Sequence, residues 1–344
     1  MLNSTEFFLA FLISGIVCGV VTPIMKRSAI KFGIVDTPNQ AHKTHSGSIP
    51  YLGGVAIVIA VLLVSTIGFV ALDFTRESVL LAISVLIPAL ILGLVGLVDD
   101  VRQLSPMSRF VAQSISGTFT ASLLIITNTF GSPTVLDILD FAITVFWIVG
   151  VTNSINFFDN HDGGASGTVA ITSLVLFFLA YDSGQIFIAG LAIILAGACF
   201  GFLFWNRSPA RIYMGDAGAL FLGTLIASLL VRYDPNPIDR LTSFSIPILL
   251  LAIPILDTTV AVVSRLRRRK SPFHGGKDHL SHRLMRFGFS RKKTAITLWA
   301  LTGFFGSLAL VISNAPYHLE RTLLYLGTFI WIVLIAFFLR QRDE

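Results

Sequence analysis

Eleven stretches of about 20 mostly apolar residues, centred near residues 16, 61, 88, 119, 145, 174, 195, 224, 253, 304 and 331, leave this chain little choice of fold. Lipid offers no partner to a backbone N–H or C=O, so a segment crossing the hydrocarbon core closes its hydrogen bonds internally, as a helix. Of 344 residues, 54% are hydrophobic and 13% charged, and the mean hydropathy of +0.80 excludes a soluble enzyme of this size. The expected architecture is all-α, a polytopic integral membrane protein of about 11 transmembrane helices, with residues 1–344 as a single transmembrane domain. Cys18 and Cys199 sit inside apolar runs without CxxC spacing and read as packing residues. The first stretch has no basic segment before it and no small-residue cleavage site, which reads as an uncleaved first span.

The net charge of +6 does not point to nucleic acid, because the basic residues follow membrane side rather than one soluble face. With the N-terminus outside, 21 of the 25 Lys and Arg residues fall on the inner connections and the C-terminus, leaving Arg76, Arg232, Arg240 and Arg321 opposite. The positive-inside rule then places the longer polar connections, and with them the active-site loops, in the cytoplasm. Pro247 and Pro254 interrupt the ninth span and should bend or break it, because each removes a backbone donor and clashes one turn back. Asp257 follows in the same span, as a buried polar pin or a functional group.

Carboxylates recur at the inner ends of three spans. Asp99 and Asp100 close PALILGLVGLVDD, with Arg102 and Arg109 on either side of a Ser-Pro turn. Such a set can serve a divalent metal and a phosphate together, since Mg²⁺ takes one or two carboxylates and fills its other positions with water and phosphate oxygens. It can equally be a charge cluster paired with its own arginines. Asn153, Asn156, Asp159 and Asp162 repeat every three positions in NSINFFDNHDGG, one inward polar stripe if the helix continues that far. Gly163 and Gly164 behind them would let backbone approach a ligand. Asp216 sits between small residues in IYMGDAG, just after the aromatic Tyr213, either as a metal ligand or as a helix cap.

Two further inner loops carry bases. KDHLSHR places His279, His282 and Arg283 where they suit a phosphate or diphosphate, whereas zinc lacks a third ligand of matching spacing. His274 lies just upstream, and Arg265 to Lys270 reads as an ordinary positive-inside anchor. Near the N-terminus, His42, Lys43 and His45 precede a Pro-Tyr-Leu-Gly-Gly entry into the second span and can close over an anionic ligand. Five loops on one face supplying acids, amides, bases and an aromatic point to a metal and phosphate site more strongly than any one of them alone.

These segments resemble the polyprenyl-phosphate N-acetylhexosamine-1-phosphate transferase superfamily from about Asp36 to Ser290. The likeness rests on Asp36, Pro38, Lys43, His45, Pro50, Gly53 and Gly54, the Asp99–Asp100 pair, the Asn153 stripe, the ARIYMGDAGALFLG run, Pro254 with Asp257, and the closing histidine loop. The resemblance implies that a polyprenyl phosphate attacks the β-phosphorus of a UDP-sugar, releasing UMP, with Mg²⁺ as cofactor and Mn²⁺ as a substitute. It implies that Asp216 binds metal and that Asp99 and Asp100 serve metal handling and activation of the lipid phosphate. Asn156, Asp159, Asp162, Tyr213 and Lys43 match nucleotide-binding positions, and His279, His282, Arg283, Arg102 and Arg109 are taken as phosphate-binding. The implied partners are a UDP-sugar, a polyprenyl phosphate carrier and membrane lipid in a bacterial inner membrane, with no nucleic acid; a homodimer is left open. Asn160, His161 and Gly164, the DHLSHR loop around Ser281, and His42 depart from the usual pattern. The rival readings are a transporter, which predicts acids near mid-bilayer and internal repeats, and a noncatalytic lipid-binding scaffold.

Overall fold

The computed structural model describes residues 4–36, 48–71, 76–134, 136–235, 240–272 and 276–341. Its elements begin with α1 (Ser4–Lys31), the two-residue strands β1 (Val35–Asp36) and β2 (Ile49–Pro50), α2 (Gly53–Ala71), α3 (Arg76–Arg102) and α4 (Pro106–Thr127). They continue through α5 (Asp137–Phe158), α6 (Gly164–Asp182), α7 (Ile186–Asn206), α8 (Gly215–Arg232), α9 (Arg240–Leu250) and α10 (Ala252–Arg267). The short α11 (Leu280–Arg286) then leads into α12 (Arg291–Ser313) and α13 (Tyr317–Leu339). Among the described residues, 10 helices are long and apolar enough to cross a membrane, and α9 with α10 makes an eleventh span bent by 77°. The protein is an all-α, multi-pass membrane protein.

The break falls where proline chemistry puts it. Pro254 has no N–H to donate to the carbonyl of Leu250, and its ring clashes with that same carbonyl, so α9 stops there. The freed carbonyl is not abandoned: the Thr172 hydroxyl of α6 donates to it at 2.9 Å, and Trp331 Nε1 of α13 donates to Ala252 O at the start of α10, also at 2.9 Å. A broken backbone inside a membrane persists only when neighbouring helices satisfy it in this way.

At the centre stands α8, with 89% of its span buried against 22% for α1 and 17% for α13. Helices α2, α3 and α5 pack around it, and glycines set how close they come. A Cβ on Gly54 would lie 2.2 Å from Gly218 Cα, and one on Gly96 would lie 2.2 Å from the Asp216 carbonyl oxygen. Without side chains at these contacts, the ends of α2 and α3 reach the start of α8 directly.

Five connections meet at that end. Gly53 and Gly54 N–H donate to the carbonyls of Tyr213 and Met214 at 3.0 and 2.8 Å, so the strap leading into α2 is sewn to the loop before α8. Asn206 Oδ1 accepts from Gly163 N–H at 3.1 Å and from the Ser166 hydroxyl at 2.9 Å, while its amide donates to Ile212 O at 3.1 Å. Trp299 Nε1 of α12 donates to Gly163 O at 3.0 Å.

Two substitutions on α2 separate close packing from helix propensity. Gly54→Ala forces a methyl onto the α8 backbone and should lower stability by about 1–3 kcal/mol. Gly68→Ala, with nothing within 4 Å of the new Cβ, should be neutral or raise it by up to about 1 kcal/mol. Thermal unfolding of both proteins in the same detergent checks the pair, and equal midpoints would contradict the packing argument.

Candidate active site

The adjacent aspartates at the end of α3 part company in the structure. Asp100 turns toward α8, where its two oxygens accept from the N–H groups of Asp216 and Ala217 at 2.8 and 3.1 Å. These are donors that a helix start leaves without partners, and a carboxylate also suits the positive end of the helix dipole. Gly215 makes the arrangement possible: its φ is +76°, and a Cβ there would lie 2.6 Å from Asp100 Oδ2. Asp99 turns the other way and is buried. Its Oδ1 accepts from Leu104 N–H, and its Oδ2 from Arg109 Nη1 at 2.9 Å.

Arg109 joins the two acidic motifs. The same Nη1 donates to Asp216 Oδ2 at 2.9 Å, while Asp216 Oδ1 accepts from Asn156 Nδ2 at 2.7 Å. Arg109 is held in register because Ser105 caps α4, accepting from Ser108 N–H at 3.1 Å, with Pro106 in the first turn. Carboxylates from two helices thus converge on one cationic nitrogen. Asp159 comes near but accepts no hydrogen bond from the described residues. Burial, reinforced by the charges of Asp216, Asp100 and Asp162, pushes its carboxyl well above the usual range.

The three-residue stripe holds only in part, because α5 ends at Phe158. Asn156 enters the acid cluster, whereas Asn153 turns to Gln113 of α4 and to its own helix at Val149 O. Beyond the helix, Asp162 is buried, accepts from Ala210 N–H at 3.3 Å and lies 3.7 Å from Arg291 Nη1. Tyr213 is held by its backbone N–H on Pro50 O at 2.9 Å, with its ring 6.1 Å from that of Tyr51. Tyr51 bonds Asp36, and burial together with the charges of Asp36, Asp100 and Asp216 raises its phenol. Sequence reasoning passed over Tyr51 and Arg291, although Tyr51 stands in the Pro-Tyr-Leu-Gly-Gly segment that drew attention to this loop. Lys43, His42, His45 and His274 lie outside the described residues.

Most of the residues expected to bind phosphate already have protein partners. Arg283 is fully buried and donates to Asp278 O, Phe338 O and the Ser264 hydroxyl at 2.9, 2.7 and 2.7 Å, so it ties α11 to α10 and α13. His279 is equally committed: its Nδ1 bonds Asp257 at 2.7 Å and its Nε2 faces Arg265 Nη2 at 3.2 Å. Asp257 also accepts from Leu280 N–H at 2.6 Å, which makes it the pin that fixes this loop. Arg265 is no simple membrane anchor, since its Nε and Nη2 grip Asp278 at 2.9 and 2.8 Å. Arg109 is engaged with carboxylates, and Arg102 is exposed and apart from the cluster. His282 remains at the site with its Nδ1 unpartnered, and burial lowers its pKa to about 4, so it is a neutral donor or acceptor near pH 7. Beside it, Ser281 donates to Asn160 Oδ1, and His161 Nε2 donates to Arg291 O at 2.8 Å. Two departures from the usual pattern, Asn160 and Ser281, therefore meet.

Among the described residues no three His, Cys, Asp or Glu side chains form a ready-made metal cage. The donors nevertheless fit a hard divalent cation. Asp99 and Asp216 already converge on a positive group, Asp159 is unpartnered, and Mg²⁺ asks for only one or two carboxylates beside water and phosphate oxygens.

The chain is similar to several known proteins. The profile of the family described as glycosyl transferase family 4 matches residues 82–234. A probable undecaprenyl-phosphate N-acetylglucosaminyl 1-phosphate transferase of Bacillus subtilis is 35% identical, with 95% of this chain and 89% of that protein covered. A decaprenyl-phosphate N-acetylglucosaminephosphotransferase of Mycolicibacterium smegmatis is 27% identical, over 96% and 87%. A phospho-N-acetylmuramoyl-pentapeptide-transferase of Staphylococcus saprophyticus is 26% identical, over 87% and 96%.

Crowded carboxylates should make the metal-free protein less stable than its packing allows. The native state binds the Asp159 proton more tightly than the unfolded chain, whose aspartates titrate near about 3.9. Stability present at acidic pH is therefore lost as the pH rises from there through the raised native pKa. Thermal midpoints in chelator across that range should fall with pH, and Asp159→Asn should flatten the slope. A slope unchanged by the substitution would remove Asp159 from the cluster. Asp216→Asn, which deletes one of the competing charges, should raise the metal-free midpoint at neutral pH.

Proposed function

This chain belongs to glycosyl transferase family 4, and from that premise we propose that its carboxylate site transfers a sugar-1-phosphate from a UDP-sugar to a polyprenyl phosphate, releasing UMP. The observation that carries this reading is the convergence of Asp99 and Asp216 on Arg109 at a membrane border. There a water-soluble nucleotide and a membrane-held phosphate can meet. Acids gathered at one end of the helices also disfavour a transporter, which would use them near mid-bilayer.

The chemistry asks for positioning and charge neutralisation more than for proton transfer. A phosphate monoester already carries about −1.5 to −2 charges near neutral pH, so the lipid phosphate needs no strong base to become a nucleophile. Its oxygen bonds to the β-phosphorus of the donor, and the bridging oxygen leaves with UMP. Asp99, Asp216 and Asp159 would hold Mg²⁺, which when bound supplies positive charge to phosphate oxygens. Mn²⁺ would substitute. Asp100 acts as a positioning residue, since its oxygens fix the first turn of α8 and so the direction of Asp216. Arg109 holds the two carboxylates in register and balances their charge. Asp162, held by Ala210 N–H, and Tyr213, held on Pro50 O, would read the uridine. The neutral His282 would donate a hydrogen bond to the diphosphate rather than a charge. We place the protein in a bacterial inner membrane with this face in the cytoplasm, where the nucleotide is made.

Purified protein incubated with undecaprenyl phosphate, Mg²⁺ and a panel of UDP-N-acetylhexosamines should release UMP and form a lipid diphosphate sugar. Asp216→Asn and Asp99→Asn should each lower turnover by about 10²-fold or more while the protein still folds. Asp100→Asn should lower turnover together with the thermal midpoint, because it weakens the cap on α8. Near-normal UMP release by the Asp216→Asn protein would overturn the site assignment.

A further inference from the structure

The far end of α8 holds a charge that the transferase site does not use. Arg232 closes the helix 16 residues after Asp216, roughly 24 Å away at about 1.5 Å per residue, and so lies at the opposite membrane border. It is one of only four basic residues that the charge pattern leaves on that side. Its side chain is 5% exposed. Nη1 donates to Ser228 O of its own helix and Nη2 to the Ser84 hydroxyl of α3, both at 3.1 Å, but Nε is buried without a partner. Among the described residues no carboxylate pairs with it. A guanidinium in this setting stays charged, so burial without an anion is costly.

Arg232 does not face solid packing. It lines a cavity of about 280 Å³ together with Leu81, Thr129, Phe130, Gln185 and Ile186, and it is the one charged residue among the lining. At about 30 Å³ per water, that volume exceeds what a tetrahedral oxyanion occupies. The walls are built rather than loose. Gly131 N–H donates to Val231 O at 3.1 Å, where a Cβ would lie 1.9 Å from Tyr233 O, which clamps the α4–α5 connection to the end of α8. Opposite, both ends of the Gln185 amide engage the backbone of Asp234, which keeps that side chain from serving as a partner for the arginine. A mostly apolar recess with a single guanidinium that no described carboxylate pairs, at the depth of lipid headgroups, matches a phosphate bearing apolar substituents.

We propose that this cavity is a phosphate-binding site on the membrane face opposite the carboxylates, filled by the headgroup of an anionic phospholipid or by a free phosphate ion. Native mass spectrometry of delipidated protein, titrated with phosphatidylglycerol or with diacylglycerol, tests the lipid source. Thermal shifts with inorganic phosphate test the free ion. The wild-type protein should retain phosphatidylglycerol but not diacylglycerol, and Arg232→Gln should weaken that retention roughly tenfold. Arg232→Lys should restore part of it. Leu81→Trp, which fills the chamber and leaves the arginine in place, should also abolish it, so the test survives if Arg232→Gln fails to fold. An Arg232-dependent shift with inorganic phosphate and no lipid retention would assign the site to the free ion. Retention equal in wild type, Arg232→Gln and Leu81→Trp, with no phosphate shift that depends on Arg232, would overturn the proposal.

Discussion

The grip of Asp100 on the Asp216 and Ala217 amides in the first turn of α8 is the interaction on which the rest of the site depends. Those amides point along the most buried helix of the bundle, so the carboxylate that takes them sets where α3 ends relative to the molecular centre. Charge-assisted bonds of this kind are each worth about 1.5–3 kcal/mol when water is excluded. They require Gly215 in the left-handed region and Gly96 against the Asp216 carbonyl, since a methyl at either place would push the two helices apart. With α3 and α8 locked, Asp99 and Asp216 each bring one carboxylate oxygen to the same nitrogen of Arg109. Arg109 then reconciles them, and α4 is drawn into the same corner.

A second constraint comes from the broken span. Pro254 frees a carbonyl inside the membrane, and Thr172 with Trp331 satisfies the backbone around the break, so the bend is fixed rather than pliable. Past the bend, α10 carries Asp257 beneath the histidine loop, where it holds His279 and the start of α11. Arg265 and Arg268 take both oxygens of Asp278, and the Arg265 guanidinium lies 5.4 Å over the Phe157 ring. The histidine loop is therefore itself held by buried ion pairs. Residues suited by type to bind phosphate, Arg283 and His279, are consumed in building it.

Much of the fold was legible in the chain because lipid imposes one answer on any long apolar run, and because proline breaks a helix by a local rule. The acid motifs were legible for a related reason: a carboxylate at a span end is anomalous unless something recruits it. Individual roles were not legible in the same way. Asp99 and Asp100 are the same residue type at adjacent positions, yet a helix turns successive side chains by about 100°, so one meets Arg109 and the other meets α8. The Asn153 stripe assumed a helix that in fact stops at Phe158, short of Asp159 and Asp162, and within the helix Asn153 bonds Gln113 of α4 rather than the acids.

By itself, then, the sequence determined the spans, the break at the prolines, the face that collects the acids and the family to which the chain belongs. These follow from composition, period and local backbone chemistry, which need no knowledge of neighbours. Only the tertiary structure decided which charges are spent on one another and which remain for a ligand. That division depends on distances between helices far apart in the chain, such as the single guanidinium shared by Asp99 and Asp216 and that of Arg232 at the other border, which has no carboxylate partner among the described residues. A side chain's chemistry is set by its type, but whether it is available is set by what the fold places within about 3 Å of it.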